Sequence, residues 1–138
     1  MIAVDVGYGQ LAWRLRQDPR VTVLDRTNAR LLGPEALPAP ADIATVDVSF
    51  ISLTKVLPAI IGCLRPSGTI VALVKPQFEV GRSRVGKGGV VRDEAARADA
   101  VAVVREAAEG LGFAVLGEAE SVLSGPKGNR EVFLWLLR

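Results

Sequence analysis

Thr69-Ile70-Val71-Ala72-Leu73-Val74 is a nearly continuous apolar run, and it ends on Lys75 and Pro76. A strand that is apolar on both faces must be covered on both faces. That is the condition of a strand inside a parallel sheet flanked by helices. Strand-like and helix-like segments alternate around this run. Residues 2–6 read as a strand and 8–17 as a helix. Residues 21–24 form a second strand ending at Asp25, and residues 42–48 a third ending at a carboxylate. Residues 28–40, with Gly33, Pro34, Pro38 and Pro40, are turn-rich.

Leu53, Val56, Leu57, Ile60, Ile61 and Leu64 then recur at helical spacing. Thr54 is the expected N-cap, which places Pro58 in the first turn, where a missing N–H costs least. Arg65-Pro66-Ser67-Gly68 stops that helix. Asp93 caps a helix over 94–110 with Val101, Val104, Ala108 and Leu111 on its inner stripe. Residues 113–119 and 131–137 are two final strands. This order predicts a doubly wound α/β sheet, with ligands at the carboxyl ends of its strands.

At 138 residues the chain is long enough for one domain with a substantial core. It has no histidine, which removes Ser-His-Asp hydrolysis, histidine bases and most zinc sites, so no metal site is expected. Its one cysteine, Cys63, sits among Ile60, Ile61 and Leu64 and reads as a buried structural thiol. No disulfide framework is possible, which fits a reducing cytoplasm. No apolar run reaches the ~18 residues of a membrane span, and no signal peptide is visible, so no membrane anchor is expected. A net charge of +2 argues only weakly for a nucleic-acid partner.

The start of the chain allows one specific reading. A short apolar strand runs into Gly7-Tyr8-Gly9-Gln10-Leu11-Ala12, and Asp25 follows Gly7 by 18 residues. That spacing matches the dinucleotide fingerprint, with glycines for a tight turn and an acid for ribose hydroxyls. On this reading the chain is a small Rossmann protein using Gly7, Gly9 and Asp25.

Three charges sit beside long apolar strands. Asp47 and Lys75 end theirs, and Glu131 begins the last one. If the last strand is antiparallel, all three share one sheet edge. Each has an ordinary alternative: Asp47 as a helix cap, Lys75 as a solvated strand end, Glu131 as a partner of Lys127. A lysine buried between carboxylates is costly unless paired, which favours a functional role. The Gly-rich loop Arg82-Ser83-Arg84-Val85-Gly86-Lys87-Gly88-Gly89 carries three cations and suits a phosphate backbone or plain solvation equally. It is not a Walker loop, because Gly88 follows Lys87.

Val46-Asp47-Val48-Ser49-Phe50, Leu73-Val74-Lys75-Pro76-Gln77-Phe78-Glu79, Val85-Gly86-Lys87-Gly88-Gly89 and Gly125-Pro126-Lys127-Gly128-Asn129-Arg130-Glu131 together resemble the TlyA family. These bacterial proteins, also labelled hemolysin A, are S-adenosylmethionine-dependent ribosomal RNA 2′-O-methyltransferases with an FtsJ-like domain. The resemblance covers the whole chain and implies a Rossmann-like class I methyltransferase fold, mostly parallel with an antiparallel last strand. It also implies a Lys-Asp-Lys-Glu tetrad, with the last three members at Asp47, Lys75 and Glu131. The first lysine, the first strand, the cofactor loop and a small RNA-binding domain fall upstream of Met1 in the family pattern. The chain is therefore read as one partial domain with impaired activity.

On this resemblance Asp5 holds the ribose hydroxyls of S-adenosylmethionine, beside Val6, and Asp25, Arg26 and Thr27 lie near the adenine. Arg82, Arg84, Lys87, Lys127 and Arg130 contact phosphates of ribosomal RNA. An ammonium flanked by two carboxylates is a poor base, so Lys75 is expected to position and stabilise the reacting oxygen, with proton removal by lysine as the second reading. A non-catalytic RNA-binding or hemolysin-like product is a further alternative, and unpaired strand edges invite self-association.

Overall fold

The computed structural model describes residues 1–138, the side chain of Pro126 excepted. Ten helices and strands follow one another: β1 (Ile2–Val4), α1 (Trp13–Arg16), β2 (Thr22–Leu24), β3 (Ala41–Val46), α2 (Leu57–Gly62), β4 (Leu64–Val74), α3 (Pro76–Glu79), α4 (Glu94–Gly110), β5 (Ala114–Glu120) and β6 (Val132–Leu137). Short 3-10 turns lie between them. The mixed α/β order expected from the apolar pattern is present.

The sheet is in two pieces. β1 and β2 pair in parallel, and a separate four-stranded sheet has the order β3-β4-β6-β5. β3 is parallel to β4, while β6 is antiparallel to both of its neighbours. The facing edges of β1 and β3 have no strand between them among the described residues. A groove of about 160 Å³ lies there, lined by Ile2, Val4, Ala44, Val46 and Ile60 among others. The sheet is thus split between β1 and β3, as a pattern lacking its first strand implies.

β4 is the axis of the larger sheet. Ile70, Ala72 and Val74 are buried, as are Val132, Leu134 and Leu136 of β6, which lie on the same side in register. This face is covered by α4 through Ala96, Ala100, Val101, Val104 and Ala108. The alanines let the helix axis approach the sheet closely. The opposite face is less covered, with Phe133 and Trp135 standing exposed.

α4 matches its expected bounds. Asp93 caps it, its two carboxylate oxygens accepting from Ala95 N and Ala96 N. At the other end Gly112 adopts φ 87°, and Phe113 N and Gly112 N bond to Ala108 O and Glu109 O. This is a Schellman stop, in which glycine takes the left-handed position without steric cost.

Three local expectations change. The helix over 8–17 contracts to the four residues of α1, because the Gly7–Ala12 stretch takes bends and turns instead. Ser52, rather than Thr54, is the cap before α2: it accepts from Thr54 N and opens a 3-10 turn over Leu53–Lys55. Arg65–Gly68 does not lie outside the sheet. It is a bulge inside β4, where Ala41 pairs with Leu64 and Ile43 with Thr69. Cys63 is buried and free, and burial pushes its thiol pKa up, as expected of an unreactive core thiol.

Glu79 ties α3 to the Ser52 turn. Its Oε1 accepts from Leu53 N at 2.9 Å, and its Oε2 accepts from Ser52 Oγ at 2.6 Å. Burial raises its pKa and outweighs the lowering effect of these hydrogen bonds. The folded state thus binds this proton more tightly than the unfolded chain does. That contribution is full below the unfolded value and is lost as pH rises through the raised folded value. Urea denaturation at several pH values is expected to show wild-type stability falling relative to Glu79→Gln as pH rises above the ordinary glutamate range of about 4. A pH-independent difference between the two proteins contradicts this.

Candidate active site

The antiparallel register of β6 brings the three selected charges to one edge. Val74 pairs with Val132, so Lys75 and Glu131 are the next residues beyond that pair. Asp47 follows the last residue of β3, which is parallel to β4 and ends on the same side.

Lys75 and Asp47 form the centre. Lys75 Nζ lies 2.6 Å from Asp47 Oδ1 and donates to Ser49 Oγ at 3.0 Å. The lysine side chain is 11% exposed and that of the aspartate 68%. The pair is thus asymmetric: a cation largely withdrawn from water, held by a carboxylate that water still reaches. Lys75 is not a solvated strand end, and Asp47 is not the cap of the next helical turn, because Ser52 has that role.

Glu131 is 5% exposed. Its Oε1 accepts from Gln77 Nε2 at 3.3 Å, and no ion pair with Lys127 or Lys75 exists among the described residues. Gln77 Oε1 is buried without a hydrogen-bond partner among the described residues, an uncommon state that marks a site under constraint. Gly125 backs directly onto Glu131. A Cβ there would meet the Glu131 carboxylate, which would have to move to admit any residue but glycine.

A cleft of about 630 Å³ runs from the Asp47 edge to the end of β1. Asp5, Val6, Gly7 and Thr27 line one end, and Asp47, Ser49 and Phe50 the other. Asp5 Oδ1 accepts from Gly7 N at 2.7 Å, which leaves Oδ2 uncommitted among the described residues. Thr27 N bonds to Asp5 O, fixing the two walls to each other.

Asp25 stands apart from the cleft lining. Arg16 forms an ion pair and two hydrogen bonds with its carboxylate. Arg26, at φ 53°, places its guanidinium 4.8 Å from the centre of the Tyr8 ring.

The basic residues divide into two groups. Arg84 pairs with Asp93 and Asp99, and Arg130 with Glu120; this pairing raises the pKa of both guanidinium groups. Arg82, Lys87 and Lys127 make no ion pair among the described residues.

Two residues that the sequence reading did not select enter the site. Ser49 lies two positions after Asp47, the spacing at which an extended segment returns side chains to one side, and that was a usable signal. Phe50 is 91% exposed, adopts φ 64°, and stands with its ring centre 5.2 Å from that of Phe78. A left-handed conformation costs a non-glycine residue about 1–2 kcal/mol, so the surrounding structure has to hold this one in place. Nothing in the local sequence announces it.

Among the described residues no group of three or more metal-ligating side chains occurs, and no helix is long and apolar enough to cross a membrane.

Comparison with known proteins gives the family of the chain. The model of the FtsJ-like methyltransferases matches residues 1–138. A 16S/23S rRNA (cytidine-2′-O)-methyltransferase of Mycobacterium tuberculosis is 57% identical over 136 residues, covering 99% of this chain and 51% of that protein. A protein of Bacillus subtilis named as a putative rRNA methyltransferase is 47% identical, covering 97% of this chain and 48% of its own length. The solved structure of a putative hemolysin from Streptococcus thermophilus superposes with a TM-score of 0.95 at 41% identity, covering 99% of this chain and 50% of that one. The chain spans about half the length of the curated relatives it matches. Sequence and backbone agree over the same residues, and the chain belongs to the FtsJ-like methyltransferase family.

Proposed function

We propose that residues 1–138 belong to an FtsJ-like domain whose reaction transfers a methyl group from S-adenosylmethionine to a ribose 2′-oxygen of ribosomal RNA. The observation that carries this reading is the withdrawn Lys75 ammonium, fixed between Asp47 and Ser49 at one end of a cleft whose other end is Asp5.

The far end of the cleft fits the cofactor. Asp5 keeps one carboxylate oxygen for ribose hydroxyls, and Val6 and Thr27 border the same space. Asp25 and Arg26 serve this end indirectly, the first through its pair with Arg16 and the second by stacking on Tyr8. S-adenosylmethionine, when bound, supplies an electrophilic methyl group on a sulfonium sulfur. A dinucleotide reading through Gly7, Gly9 and Asp25 requires a free carboxylate at Asp25, and Arg16 occupies it.

At the near end the ribose oxygen has to be aligned and has to lose its proton. The Lys75 ammonium has three N–H donors, of which Asp47 and Ser49 take two. The third orients the hydroxyl oxygen and stabilises negative charge as it develops there. Asp47 holds the ammonium in place. Glu131, packed on Gly125 and bonded by Gln77, closes the edge on the other side. Phe50 offers an exposed aromatic face beside this edge for stacking a nucleobase. Arg82, Lys87 and Lys127 are the cations with charge to spare for RNA phosphates. Arg84 and Arg130 act there only by exchanging their carboxylate partners for phosphate. Ribosomal subunits in the cytoplasm are the corresponding partner. The unpaired edges of β1 and β3 give the chain a route to self-association.

Methyl transfer from labelled S-adenosylmethionine to ribosomal RNA tests this reading. Lys75→Ala is expected to lower kcat by about 10²–10³-fold, the cost of removing one preorganised charge, with cofactor affinity retained. Unchanged turnover overturns the assignment. Phe50→Ala is expected to act on the RNA side, raising KM for RNA by about 5–100-fold, as the loss of one base–aromatic stack predicts. A purely catalytic defect with unaltered KM contradicts the stacking role.

A further inference from the structure

Asn129 is 3% exposed, and its side chain is committed to backbone far away in sequence. Nδ2 donates to Gly89 O at 2.9 Å, and Oδ1 accepts from Val91 N at 3.0 Å. The two bonds bracket Val90, and both Val90 and Val91 are buried. One amide thus fastens segment 89–91 to the start of the Glu131 strand.

A tight turn with a lysine near its tip lies on each side of this fastening. In the first, Gly89 N bonds to Gly86 O and Gly86 N to Val90 O, so Lys87 stands in the turn. Gly88 and Gly89 both adopt positive φ there. In the second, Gly128 N bonds to Gly125 O and Gly125 N to Asn129 O, with Lys127 in the turn. Lys127 itself has φ 63°. A lysine held left-handed at a cost of about 1–2 kcal/mol is a constraint in search of a reason. Solubility alone does not supply one, because an ordinary turn displays a lysine equally well.

Charge supplies the second observation. The arginines next to these turns, Arg84 and Arg130, are neutralised by neighbouring carboxylates, whereas Lys87 and Lys127 carry no ion pair among the described residues. The second turn also abuts the site, because Gly125 packs on the Glu131 carboxylate.

We propose that Asn129 is a positioning residue that fastens the Lys87 and Lys127 turns into one rigid unit, so that the two ammonium groups meet the phosphates of an RNA strand together. The proposal rests on the RNA reading above and adds how the cations are held. Fixed turns lose little entropy on binding, whereas two mobile lysines lose more. Releasing the staple therefore frees both turns from their fixed places beside the strand, so that both phosphate contacts are lost together rather than merely weakened.

The test is the salt dependence of binding to a synthetic RNA hairpin with a cytidine-rich loop, read at a temperature where circular dichroism shows each variant folded. Removing one lysine–phosphate interaction reduces the slope of log K against log salt by about 0.7–0.9. Lys87→Ala and Lys127→Ala are each expected to remove one such step. Asn129→Ala is expected to remove about two, and adding both lysine substitutions to it is expected to change the slope little further. Asn129→Asp keeps the acceptor for Val91 N and loses the donor to Gly89 O, so it is expected to fall between Asn129→Ala and wild type; it serves as the main reading if Asn129→Ala does not fold. A wild-type slope in both folded Asn129 variants, or full additivity with the lysine substitutions, overturns the staple while leaving the RNA reading standing. Salt-insensitive binding by the wild type overturns both.

Discussion

Val74 lies opposite Val132 in an antiparallel pair, and the meeting of Lys75 and Glu131 at one sheet edge depends on that register. Side chains alternate along a strand, so a slip of one residue would turn Glu131 to the other face and move Lys75 out of step with it. The register is held by burial. Ile70, Ala72 and Val74 share one face with Val132, Leu134 and Leu136, and α4 covers all six. The polar edge is therefore specified by the apolar core behind it. β3 adds Asp47 from the other side through its own pairing with β4.

The stretch from Lys75 to Glu79 then joins both walls of the site. Lys75 reaches Asp47 and Ser49, Gln77 reaches Glu131, Phe78 stands beside Phe50, and Glu79 holds the Ser52 turn. Pro76 starts a single helical turn at a position where its missing N–H is harmless, and that turn spreads these side chains in different directions. Five consecutive residues thus couple the strand end to the loop after β3 and to the loop before β6.

Much of this arrangement was legible from the chain alone. The doubly apolar run of β4, the capped helix over 94–110 and the charges at the strand ends each carry a local physical signature. So does Gly-x-Gly with a following acid, and there the local signature misled. Arg16 binds Asp25 across a turn, and a pairing of that kind leaves no periodicity to read. The same holds for Arg84 with Asp99 and Arg130 with Glu120, which separate spent cations from available ones. Phe50 was invisible for a different reason: positive φ in a phenylalanine is imposed by its surroundings rather than preferred by the residue.

Hydrophobic periodicity and capping chemistry are local, so the sequence by itself determined the order of strands and helices and which residues end them. It also carried the family pattern. Pairing between distant segments is not local. Only the tertiary structure decided that Lys75 is withdrawn beside an exposed Asp47, and that Asn129 spans two loops. Each of these depends on which backbone edges and side chains meet after the core has formed, and that is settled by packing over the whole chain.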